Sequence, residues 1–147
     1  MEVVQRGADG IRVKVSQVEL IMLIDSSRET TEALARLSPD QFESRTGFKE
    51  DEMDAFLWAL AAIRKETHGE LYNEYQTRQI VQSHEGSVVH FSMHEARMII
   101  PMLQETLAAL DDWEFDIRTS VTRAAMERFL DEWLDVVAAD CDNGFSA

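Results

Sequence analysis

Cysteine is all but missing from this chain: Cys141 is the single thiol in 147 residues, so no internal disulfide can form. It sits in "ADCDNGFSA", where neighbouring carboxylates oppose thiolate formation and argue against a nucleophilic role. Two prolines and six glycines are too few for a collagen-like or low-complexity chain. The longest apolar run, "LIMLI" from Leu20 to Ile24, falls far short of the roughly 20 residues that cross a bilayer. The opening "MEVVQRGADG" lacks the basic segment and apolar core of a secretory signal, so the expectation is a soluble, cytoplasmic protein. Gly-rich phosphate loops, a Gly-x-Ser-x-Gly elbow and a His-Glu-x-x-His pair are all missing, so no catalytic residue is assigned and no cofactor is expected.

Positive charge is scarce as well. Fourteen basic residues face 28 acidic ones, for a formal net charge of −14. A surface of that sign repels phosphate backbones and anionic lipid, which disfavours direct nucleic-acid binding and membrane association. It attracts a basic protein partner, chiefly through association rate and selectivity; acidity that only keeps a protein in solution accounts for the same balance. With 45% hydrophobic residues, the chain has the makings of an ordinary core that needs no staple.

What the chain does contain is a repeat. A shift of 76 positions carries Gly10 onto Gly86, Val13 onto Val89, Ser16 onto Ser92, Glu19 onto Glu95, Met22 onto Met98, Glu29 onto Glu105 and Leu34 onto Leu110. Beyond a three-residue length change the shift becomes 73, and "FESRTGF" (42–48) meets "FDIRTSV" (115–121), followed by Met53 with Met126 and Phe56 with Phe129. The expectation is an α+β protein made by internal duplication of a β-β-α-α unit, residues 1–75 and 76–147. The two units close into one compact domain with a pseudo-twofold axis, an antiparallel sheet packed against helices.

Each copy reads as strand, turn, strand, helix, loop, helix. The Asp9-Gly10 turn divides two short β-branched runs, and "QIVQSHEGSVVHFS" repeats the plan. Ser16 with Glu19 and Ser92 with Glu95 fit the Ser-x-x-Glu capping box, which explains all four by structure alone. Leu20, Leu23, Ile24 and Leu34, matched by Ala96, Ile99, Ile100, Leu103, Leu107 and Leu110, form apolar stripes at helical spacing. Pro101 lies inside the second stripe opposite Asp25, so a bend is expected in both helices. In the connecting loop, Phe42 and Phe115 read as core plugs. Arg45 and Arg118 are expected to clasp Glu29 and Glu105, each within its own copy, although an Arg that grips a ligand carboxylate or phosphate fits the same residues.

The copies differ on the outer faces. The last helices share Met53, Phe56, Leu57, Leu60 and Ile63 against Met126, Phe129, Leu130, Trp133 and Val136. Opposite these, copy two has Arg128, Asp131 and Asp135, whereas copy one has Ala55, Trp58 and Ala62; Val18 and Ile21 likewise stand where copy two has His94 and Arg97. Burial of Trp58 between the copies is the expected fate, and an external interface anchored by it is the alternative. His90 and His94, with His84 or Glu95, have a conceivable zinc spacing across a strand-to-helix junction, but no metal is assigned. The acidic runs "KEDEMD" and "LDDWEFD" suit helix N-termini and also partner contacts.

The order "V-x-V-S-x-x-E-L", an acidic helix end, "F-E-S-R-T-G-F" and an acidic helix start resembles a loosely defined set of small uncharacterised bacterial proteins, and is similar to acidic immunity partners of bacterial toxins. That resemblance implies a non-catalytic inhibitor that occludes a basic partner such as a toxin. Its contacts would include Trp58, Asp111, Asp112, Glu114, Asp131 and Asp135. The competing expectations are a small-ligand-binding protein or enzyme with a polar pocket lined by Arg45, Arg118 and the histidines, and a structural homodimer through Trp58.

Overall fold

Two β-hairpins come together to make one sheet. In the computed structural model, which describes residues 1–67, 80–83, 86–119 and 121–142, β1 (Glu2–Gly7) pairs with β2 (Gly10–Val15) and β3 (Ile80–Ser83) pairs with β4 (Gly86–Phe91), all antiparallel. β2 and β4 pair with each other at the centre, giving the order β1-β2-β4-β3. Their register sets Val13 opposite Val89, so the residues that the shift of 76 relates face one another, and Ile11–Phe91 exchanges with Val15–Ser87. Alternation places Ile11, Val13, Val15, Val89 and Phe91 on the inner face.

Gly10 and Gly86 open the two central strands at φ values of 133° and 135°. A Cβ on Gly10 would lie 2.1 Å from the Phe91 carbonyl oxygen, and one on Gly86 would lie 2.3 Å from that of Val15. Each glycine therefore lets its own strand approach the far end of the other.

Six helices follow among the described residues, three in each half: α1 (Gln17–Ala33), α2 (Pro39–Thr46), α3 (Glu50–Thr67), α4 (Met93–Ala109), α5 (Asp112–Arg118) and α6 (Arg123–Asp142). The expected capping boxes at Ser16/Glu19 and Ser92/Glu95 are both closed, the hydroxyls accepting from the Glu19 and Glu95 amides. The segment expected to be a loop forms a helix in each half, so each half runs ββααα. Ser38 caps α2 with Pro39 in its first turn, and in α5 Glu114 accepts from the Asp111 amide at 3.1 Å. α4 continues through Pro101 from Met93 to Ala109, and α1 likewise passes through Asp25, which is buried beside Arg28 at 3.1 Å.

α1 packs on α4, α3 on α1 and α6 on α4, and the apolar residues of both halves join one cluster. Leu20, Leu23, Ile24, Ala96, Ile99, Leu103, Met53, Phe56, Leu60, Ile63, Met126, Phe129, Trp133 and Val136 are buried as their spacing implied. Phe42 and Phe115 are buried plugs. Rings interlock edge to face from α3 through the sheet to α6: Phe56 on Phe91, Phe91 on Trp133 and Trp133 on Phe129. At the α1–α4 crossing the buried Thr30 hydroxyl lies 2.8 Å from the Ser26 carbonyl oxygen and 3.0 Å from that of Met102. Thr106 reaches the same two carbonyls at 3.2 and 2.9 Å. These polar contacts exchange under the shift of 76.

Candidate functional site

Arg45 and Arg118 do not hold the glutamates of their own halves. Arg45 makes a bidentate pair with Glu105, at 2.9 Å from each carboxylate oxygen, and Arg118 donates to Glu29 at 3.0 Å. The expected clasp is thus corrected to a crossed one, because α1 and α4 pack side by side and bring each glutamate nearer the opposite short helix. The Glu105 hydrogen bonds stabilise the charged guanidinium and raise the Arg45 pKa above its ordinary value. The two pairs are unequal. Glu29 is 3% exposed and also lies 3.6 Å from Arg28, which itself donates to the Arg118 carbonyl at 2.9 Å. Arg45 is half exposed and Glu105 is partly buried.

Just outside these pairs, each half has a cleft where its first helix ends and its third begins. In the second half it measures about 350 Å³, and Arg123 lines it with Asp112, Phe115, Thr122, Ala124 and Glu127. The Arg123 guanidinium binds Asp112, donates to the Leu107 carbonyl at 2.8 Å and to that of Leu110, and lies 4.7 Å over the Phe115 ring. It thereby caps the open carbonyls at the end of α4. The shift of 73 puts Glu50 where Arg123 stands. The corresponding space in the first half is a cleft of about 640 Å³ lined by Thr31, Pro39, Asp40, Glu43, Lys49, Glu50, Asp51 and Asp54. Among the described residues, neither Arg45 nor Arg118 nor a histidine is part of this lining.

The partner-contact candidates are placed as follows. Asp111, Asp112, Asp131 and Asp135 are exposed, with Asp112 bound to Arg123 and Glu114 half-buried in its capping role. Asp111, Asp112 and Glu114 lie at the start of α5, and Asp131 and Asp135 one turn apart on α6. Burial of Trp58 between the halves is not observed: the side chain is 50% exposed. Its position on the outer side of α3, opposite Met53, Phe56 and Leu60, keeps it out of the single core. Ala55 is exposed with it, whereas Ala62 is buried.

Two residues escaped the sequence reading. Trp113 and Ile117 are one helical turn apart on α5 and are 67% and 74% exposed. The shift of 73 sets Asp40 and Ser44 in their places, so the apolar pair belongs to the second half alone. The available signal was two apolar residues at i and i+4 that neither match the aligned residues of the first half nor extend the core stripe.

The histidines separate. His90 is 3.6 Å from Asp9 on the turn of the first hairpin, while His94 is 3.1 Å from Glu52 and edge-on to Phe48. Among the described residues, no group of three or more His, Cys, Asp or Glu is placed to hold a metal ion. His68 and His84 lie outside the described residues. Also among the described residues, no helix is long and apolar enough to cross a membrane. No family of known proteins, no curated protein and no solved structure matches the chain.

Proposed function

We propose that this is a non-catalytic, cytoplasmic protein-binding protein built on a duplicated unit, an acidic immunity or inhibitor protein that occludes a basic partner such as a bacterial toxin. The observation that carries the reading is α5. Trp113 and Ile117 are solvent-facing large apolar residues beside Asp111, Asp112 and Glu114, on a chain of net charge −14. Apolar anchors rimmed by one sign of charge suit a partner whose surface carries apolar residues among Lys and Arg. Asp131 and Asp135, exposed on α6, add further carboxylates to the surface. Inhibition follows from coverage, with charge speeding encounter and the aromatic anchor slowing escape.

The test is capture of a basic protein from the source cell by the native chain, with loss of that protein's activity on mixing. A Trp113→Ala/Ile117→Ala double variant, folded as judged by circular dichroism, is expected to bind at least about tenfold more weakly, since hot-spot truncation costs about 2 kcal/mol or more. A captured protein whose activity is unchanged by the native chain would rule the reading out. Exposure of Trp58 favours a second reading, a homodimer through α3. Sedimentation of the native chain as a dimer that Trp58→Ala converts to monomer is its signature.

A further inference from the structure

A helix of seven residues does not hold its shape unaided, so α5 owes its orientation to what grips it. At its end, Arg118 donates to Glu29 at 3.0 Å while Arg28, the neighbour of that glutamate on α1, donates to the Arg118 carbonyl at 2.9 Å. At its start, Arg123 binds Asp112 and reaches across to the Leu107 carbonyl near the end of α4 at 2.8 Å, with its guanidinium 4.7 Å over the Phe115 ring. Phe115 is buried beneath it, and Trp113 and Ile117, two residues to either side, turn the other way and are exposed. The first half keeps the Arg45–Glu105 pair but has Gln104 where Arg28 stands and Glu50 where Arg123 stands, and Asp40 and Ser44 replace the apolar pair. The two extra grips and the two bare apolar side chains therefore occur in the same half.

We propose that α5 is a preorganised recognition helix, in which Arg28 and Arg123 are positioning residues that fix Trp113 and Ile117 for a basic protein surface, at one site per chain. The proposal rests on the protein-binding reading above and adds how that contact is held. A contact helix fixed before binding loses less conformational freedom on association, which lengthens the life of the complex rather than speeding encounter. Exposed Asp111 and Asp112 beside the anchors suit Lys and Arg on the partner, whereas a second copy of the chain, itself at −14, is repelled. Removing the charge of Arg28 or Arg123 favours a basic partner on electrostatic grounds alone, so a loss of binding isolates positioning.

The experiment uses the full chain and a helical leucine–lysine peptide with its leucines on one face, with a serine–lysine peptide of equal charge as control, followed by amide NMR and by association and dissociation rates. Saturable shifts at Trp113 and Ile117 with the leucine–lysine peptide, one peptide per chain, and weaker binding of the control are expected. Arg123→Gln and, separately, Arg28→Gln, each folded as judged by circular dichroism, should release the leucine–lysine peptide about threefold faster or more, and amide exchange within α5 should quicken while β4 stays protected. Each variant makes the chain one unit more acidic, so a purely electrostatic role gives unchanged or slower release. That result in either variant, or equal binding of the control, would overturn the proposal, as would self-association of the native chain that Trp113→Ala/Ile117→Ala abolishes. The two readings fail separately. Peptide binding that Trp113→Ala/Ile117→Ala leaves intact overturns the surface on which both stand, whereas loss in that variant with none in the arginine variants keeps the surface and overturns positioning alone.

Discussion

Glu29 shows how much one carboxylate depends on a neighbour far away in sequence. It is 3% exposed, and Arg118 at 3.0 Å and Arg28 at 3.6 Å surround it with positive charge. Removing Arg118 leaves a buried charge short of a partner, so Arg118→Ala should cost about 1–3 kcal/mol by urea denaturation. The solvated Arg45–Glu105 pair is expected to matter less. A double-mutant cycle should find coupling between Arg118 and Glu29 and none between Arg118 and Glu105; the reverse result would restore the clasp within each half. The sequence supplied these four residues and their pairing chemistry, but both assignments of partner are interchanged in the structure. Each glutamate is equally visible to either arginine in a linear reading, and only the docking of α1 against α4 separates them.

At the level of elements, the helices and hairpins were legible because their signals are local. Capping boxes at Ser16 and Ser92 and stripes through Leu23 and Ile99 need nothing beyond their own neighbours. The short helices α2 and α5 look like loops in the sequence because seven or eight residues carry little periodicity, although Ser38-Pro39 and Asp111 through Glu114 hold start signals. The glycines that open β2 and β4 permit a sharper test. Gly10→Ala or Gly86→Ala would place a Cβ 2.1 or 2.3 Å from a backbone oxygen of the other central strand, at a φ that side chains rarely adopt. Each variant should lose about 2 kcal/mol or more in thermal or chemical unfolding, and alanine at Gly47, where no atom lies within 4 Å, should lose less. Equal losses at all three sites would mean that the close approach of the hairpins contributes nothing.

The whole molecule ties its first residue to both halves. The Met1 ammonium lies 2.8 Å from Glu19 at the start of α1 and 3.7 Å from Glu132 on α6. The Glu19 hydrogen bond raises its pKa above the ordinary 8.0 and outweighs the opposing effect of burial. The folded state therefore holds this proton more tightly than the unfolded chain. The resulting stabilisation is complete below pH 8.0 and fades as pH rises through the raised value. Thermal melts of the native chain should fall over that alkaline range. Glu19→Gln keeps an acceptor for the capping box while removing the charge, and its melts should fall less; parallel curves would remove the pair from the balance.

The amino-acid order by itself determined the α+β class, the two hairpins, the capping boxes of α1 and α4 and the apolar helix stripes that enter the core. Periodicity and end signals act within a few residues, and a similar pattern written twice reports them twice. Tertiary structure alone decided that α1 and α4 exchange arginine partners, that Trp58 faces outward and that Trp113 and Ile117 are uncovered. Those outcomes depend on how packed surfaces meet, a matter of shape and distance; the crossed ion pairs join residues 60 and 89 positions apart in the chain.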